Sequence, residues 1–207
     1  MNKLAKFLLY PIAVTLLAVP GAHAATIAGD AFDLNLIIDD GSGGTVAQGP
    51  FDGTAAGVAD SIFSDPDLST LFIVGSTEYD FRINWIDDDS FDLSFFGSGA
   101  IDLNNLSITL SGLDFRFGAQ ALAIVGAAFN RAGSNVDTYN AGPSMPDPSV
   151  GFTAHSVTAT FSSFPLALVA DGPTLRFDVQ VAQIPEPASG VIVLGGLGLL
   201  GLLRRRR

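Results

Sequence analysis

Three consecutive aspartates, Asp87, Asp88 and Asp89, are the densest set of ligating side chains in this chain. Adjacent carboxylates repel one another, and a hard cation between them relieves the repulsion. Calcium suits such a set because it takes six to eight oxygens in flexible geometry. The competing reading is a solvated acidic turn, which aspartate favours without any metal. A second acidic segment, Asp65-Pro66-Asp67-Leu68-Ser69, opens like an EF-hand loop. It has Thr70 at the sixth position and Ser76 at the twelfth, where such a loop needs glycine and glutamate, so it is set aside.

Nucleophilic chemistry has little to work with. Beyond residue 24 the one histidine is His155, and no G-x-S-x-G elbow is present. A serine triad needs a base and an orienting acid around its nucleophile, and His155 reads instead as a satisfied or exposed histidine in the strand-like segment Phe152–Phe161. Carboxyl pairs are abundant, but glycoside hydrolysis requires two of them about 5–9.5 Å apart in a cleft, and abundance is not a cleft. Tyr79 and Trp85 have the rings to stack on a sugar. Both fall on the apolar side of their segment with Phe81 and Ile83, which assigns them to a core. Tyr139, in a polar loop, is the better exposed aromatic. The expectation is a non-enzymatic domain, with calcium the one cofactor worth testing.

The elements that position these residues announce themselves by alternation. In Glu78–Ile86 the apolar set is Tyr79, Phe81, Ile83 and Trp85, and the polar set is Glu78, Asp80, Arg82 and Asn84. Ser90–Phe95, Leu106–Leu110, Leu113–Phe117 and Thr174–Val181 repeat the pattern, and Phe32–Ile38 and Phe152–Phe161 do so less regularly. A period of two marks half-buried strands. Ala121–Phe129 is apolar throughout, so it is a fully buried strand or a short helix. Thr54–Phe63 is a possible short helix, and Ala132–Val150 a long surface loop. Turn residues separate the strands at Asp39–Gly44, Asp87–Asp89, Gly97–Gly99, Asn104–Asn105 and Ser111–Gly112. Spacings of about 8–12 residues between strands point to an all-β, antiparallel two-sheet β-sandwich, jelly-roll-like, of about eight to ten strands. Sixteen phenylalanines fit a core of aromatic cross-strand pairs.

Charge and cysteine content narrow the partners. Residues 25–183 hold every acid except Glu186, set against Arg82, Arg116, Arg131 and Arg176 and no lysine. Such a surface repels nucleic acid phosphate and anionic lipid, and it favours divalent cations and solubility. The chain has no cysteine, which excludes structural cysteine-zinc sites and lipoprotein anchoring.

The two ends read as addresses. Lys3 and Lys6, the apolar run Phe7–Val19 and the small-x-small Ala22-His23-Ala24 form a secretory signal peptide, residues 1–24, with cleavage after Ala24. At the other end, Pro185-Glu186-Pro187 precedes a glycine-rich apolar run, Ala188–Leu203, and four arginines, Arg204, Arg205, Arg206 and Arg207. As a helix, 188–203 is about 24 Å long at about 1.5 Å per residue, a short span of a hydrocarbon core roughly 30 Å thick. Snorkelling arginines cover part of the deficit, and the cluster belongs on the cytoplasmic side. The predicted organisation is therefore signal peptide 1–24, acidic passenger domain 25–183 and tail 184–207 with a single transmembrane helix.

This tail resembles the PEP-CTERM sorting signal of Gram-negative bacteria, with its three parts in order. The resemblance implies that exosortase, a polytopic membrane protease or transpeptidase, recognises Pro185, Glu186 and Pro187. It implies export across the inner membrane, transient anchoring there, and delivery to the cell surface or an exopolysaccharide matrix. It covers the tail alone and is silent on the passenger's activity.

Overall fold

The computed structural model describes residues 27, 29–41, 44–55, 66–74, 77–87, 89–139, 145–168 and 172–183. Asp88, the segment expected to be helical beyond Ala55, the signal peptide with Ala22 and Ala24, and the tail from Ile184 lie outside those residues. Among the described residues no helix is long and apolar enough to cross a membrane. The predicted span, 188–203, is not among them.

The described chain is antiparallel β throughout. In order it forms β1 (Ala31–Asp39), β2 (Thr45–Thr54), β3 (Leu68–Val74), β4 (Thr77–Asp87), β5 (Ser90–Phe96), β6 (Gly99–Leu103) and β7 (Asn105–Ser111). There follow β8 (Arg116–Phe117), β9 (Gln120–Asn130), a 3-10 turn (Val136–Tyr139), β10 (Ser149–Thr153), β11 (Ser156–Phe161), β12 (Phe164–Leu168) and β13 (Thr174–Gln183). One sheet has the order β10-β11-β7-β1-β2, a second β3-β4-β5-β13-β9-β8, and β12 pairs with β6. Thirteen strands exceed the eight to ten expected, because β2, β3, β6 and β12 carry no alternation long enough to read. The pairings β5·β13, β6·β12 and β7·β11 are nested, so the stretch 90–111 is matched antiparallel by 156–178.

Alternation explains the core. Phe32, Leu34, Leu36 and Ile38 of β1, Leu106, Ile108 and Leu110 of β7, and Leu175, Phe177 and Val179 of β13 are buried. Tyr79, Phe81, Ile83 and Trp85 of β4 join them, as their apolar phase requires, and all belong to one hydrophobic cluster drawn from both large sheets.

Three segments differ from expectation. Ala121–Phe129 is a strand, part of β9, but not a fully buried one. Leu122 and Ile124 point into the core while Val125 is 52% exposed, and its alanines and Gly126 cost little to leave in water. Leu113–Phe117 alternates in burial yet is ladder-paired only at Arg116–Phe117. Phe152–Phe161 is a hairpin, β10 and β11, with His155 in its turn rather than in a strand. The loop expected over 132–150 is partly anchored. Val136 and Met145 are buried, and Arg131 bonds Asp137, Asp147 and the Met145 carbonyl, an arrangement that raises the Arg131 pKa, chiefly through Asp137.

The edge strand β2 joins the two sheets. Gln48 donates from Nε2 to the Ile73 carbonyl at 2.7 Å and accepts from the Ile73 amide at 3.0 Å, so one carboxamide replaces a ladder pair between β2 and β3. The neighbouring Gly49 has φ +109°, and a Cβ there would lie 2.6 Å from the Leu34 carbonyl oxygen. Both the left-handed backbone and the close approach require glycine. Gly49→Ala is expected to destabilise the domain by about 1–3 kcal/mol, measured as a lower urea midpoint at unchanged slope. A midpoint within error of the parent would show that β1 and β2 can part freely here.

Candidate functional site

The acidic turn lies where alternation on either side of it places it, between β4 and β5. Asp87 accepts at Oδ1 from the Ser90 hydroxyl at 2.6 Å and from the Asp89 amide at 3.3 Å. Burial pushes the Asp87 carboxyl up, but these hydrogen bonds outweigh it and hold the group below its ordinary value. The Asp87 carboxylate is therefore satisfied from within its own turn, as in aspartate turns generally.

Folding brings a third described carboxylate to this turn. A cleft of about 420 Å³ is lined by Asp87, Asp89 and Ser90 together with Asn130, Arg176 and Asp178. The Asn130 amide bridges both oxygens of Asp178 at 3.2 and 3.0 Å, and the Asp89 carbonyl accepts from the Val179 amide at 2.6 Å. The Arg176 guanidinium puts positive charge into the same wall. Among the described residues no group of three or more ligating side chains has metal-binding geometry.

Arg176 is held by Asp92, one strand away. Its Nε and Nη2 donate to the two carboxylate oxygens at 2.9 and 3.0 Å, in the two-pronged geometry that suits guanidinium and carboxylate. The pair is in register, Arg176 against Asp92 on β13 and β5. Burial pushes the Asp92 carboxyl up by more than Arg176 pulls it down. The strand alternation places Asp92 on the outward side, yet it is buried together with Asn84, Ser90 and Ser94. The outer face of the second sheet thus has a buried polar strip along β5, fixed by the Asp92–Arg176 fork and the Ser94–Thr174 hydroxyl bond at 2.9 Å.

A smaller hollow of about 190 Å³ lies beside Asp114, Arg116, Leu122 and His155. His155 Nδ1 is 3.1 Å from Asp114 Oδ1 and 3.3 Å from the Leu113 carbonyl. An imidazole steadied by an acid is two-thirds of a triad, and among the described residues no serine, threonine or cysteine lines the hollow. Trp85 and Tyr79 are in the core, and Tyr139 is half-buried in the 3-10 turn.

The C-terminal tail leaves from a defined place. Strand β13 is paired with β9 up to its last residue, Gln183 against Leu122, and the Gln183 amide donates to Gln120 Oε1 at 2.9 Å. Only Ile184 separates this strand from Pro185. Pro185, Glu186, Pro187 and Arg204–Arg207 lie outside the described residues. No curated protein and no solved structure matches the chain. Residues 183–207 match the PEP-CTERM protein-sorting motif. The C-terminal tail thus carries the PEP-CTERM protein-sorting motif, the recognition signal for exosortase, and that motif implies an exported protein anchored in the membrane before processing.

Proposed function

We propose that this is a non-enzymatic cell-surface or extracellular-matrix protein, associated with exopolysaccharide. The signal peptide 1–24 directs it across the inner membrane, the apolar segment 188–203 holds it there, and exosortase processes it near Pro185–Pro187. The observation that carries the reading is the sorting motif fused directly to an acidic all-β domain. The nested strand pairing supports a jelly-roll-like sandwich for that domain. Its acidity keeps it soluble beyond the membrane, and in the cleft beside the acidic turn Asp87 bonds Ser90 and Asn130 bonds Asp178. The test is the C-terminal mass of the released protein. A product ending near Pro185–Pro187 is expected, and a secreted form that retains Arg207 defeats the processing step.

A second reading, a calcium-dependent carbohydrate-binding module, starts from Asp87, Asp89 and Asp178 lining one cleft; as placed they form no metal site, so calcium would have to draw them together. A ligand bound by the native state alone raises its melting temperature by mass action. This reading expects a higher melting temperature in millimolar calcium than in chelator, and equal values remove it.

A further inference from the structure

The point where β13 ends fixes which part of the domain can face the enzyme that reads the tail. Pro185 is two residues beyond Gln183, so its Cα lies within about 7 Å of the Gln183 Cα however those residues are arranged. Ala188, where the apolar run begins, lies within about 18 Å by the same limit. A domain of this length has a radius of gyration of about 15 Å. An enzyme that grips Pro185–Pro187 therefore cannot avoid the end of the domain around Gln183. The structure shows what stands there. Gln183 is bonded to Gln120, and Gly118, Ala119, Gln120 and Ala121 of the β8–β9 turn are all exposed.

We propose that the β8–β9 turn, with the end of β13 beside it, is the docking surface for the sorting enzyme. The proposal rests on the sorting reading and goes beyond it, since the motif alone does not say how the passenger is held. The opposite end of the same sheet supplies the control. Strand β5 runs antiparallel to β13 with Ser94 against Thr174, so the exposed Gly97–Ser98 turn lies beyond the start of β13. Thr174 is itself about 30 Å from Gln183 at about 3.3 Å per strand residue, and the turn lies farther out.

The chain has no cysteine, so single variants take one label each. Full-length Ala119→Cys and Ser98→Cys are coupled to a bulky polyethylene-glycol maleimide and presented to detergent-solubilised membranes containing the sorting enzyme. Labelled Ala119→Cys is expected to be cut about tenfold more slowly or worse, because the label must be cleared before the motif is positioned for attack. Labelled Ser98→Cys and both unlabelled variants are expected to match the parent. Parental cleavage of labelled Ala119→Cys overturns the proposal. So does a slowing confined to intact membranes, which assigns the contact to the bilayer. An unlabelled parent that is never cut overturns the sorting reading itself.

Discussion

Phe164→Ala is expected to destabilise the domain by about 3–5 kcal/mol, the range for removing a large aromatic side chain from a packed core. Phe164 is fully buried and sits where the two large sheets meet. Its ring lies 5.0 Å from Phe95 of β5 and 4.9 Å from Phe161 of β11, and Phe95 lies 4.9 Å edge-on from Phe81 of β4. The four rings form one line across the core, so truncation at Phe164 removes the contacts of both sheets together. Aromatic pairs of this geometry add about 0.5–1.5 kcal/mol beyond the area they bury. Phe152→Ala is the control. That ring is 46% exposed on the edge strand β10, and its loss is expected to stay within about 0.5 kcal/mol. Urea denaturation of the two variants decides the matter. Equal losses would mean that the sheets are not joined through Phe164.

The contrast between these two phenylalanines shows what the sequence can and cannot report. Alternation works where one face is buried and the other is wet. It reads β1, β4, β7 and β13 correctly, down to the burial of Trp85 and Tyr79, and in β5 it finds the core face but not the burial of Ser90, Asp92 and Ser94 on the other. It is silent in β2, Thr45–Thr54, which is exposed along most of its length and interrupted by Gly49 and Pro50. An edge strand with little core face has no hydrophobic phase to display. Ala121–Phe129 defeats the method in the opposite way, because small apolar residues sit on both faces: Leu122 and Ile124 are buried, Ala127 and Phe129 pack against the core while partly exposed, and Val125 faces out. The acidic turn is legible for a local reason, three aspartates between two alternating segments. Its neighbours Asp178 and Arg176 are not, because a register between β5 and β13, some ninety residues apart in the chain, brings them there. The sorting tail is fully legible because its three parts are contiguous, whereas the surface that stands beside it, the β8–β9 turn, emerges only when Gln183 is seen paired to Leu122.

Register also decides the second large effect. Arg176→Met is expected to cost about 3–5 kcal/mol at neutral pH, because it leaves the buried Asp92 carboxylate without its fork of hydrogen bonds. The double variant Asp92→Leu/Arg176→Met is expected to lie near the parent, since well-packed apolar replacements for a buried pair are often neutral or stabilising. Burial already pushes Asp92 up despite Arg176, so desolvation outweighs the attraction in the parent and outweighs it further once the guanidinium is gone. The sign of the pH effect follows. A carboxyl whose folded pKa is raised binds its proton more tightly in the native state than in the unfolded one. Its stabilising contribution is complete below the ordinary aspartate value near 3.8 and is lost as pH rises through the higher folded pKa. The penalty of Arg176→Met should therefore be smallest in acid and grow across the carboxylate range as Asp92 ionises. Asp87 acts in the opposite sense, since its folded pKa is lowered and its contribution fades in acid; it also attracts Arg176, so what the variant loses there adds to the rise of the penalty with pH. Urea midpoints of parent, single and double variants across that range separate the terms. A penalty for Arg176→Met that does not change with pH would mean that Asp92 remains solvated when its partner is removed, and that the polar strip along β5 is open to water.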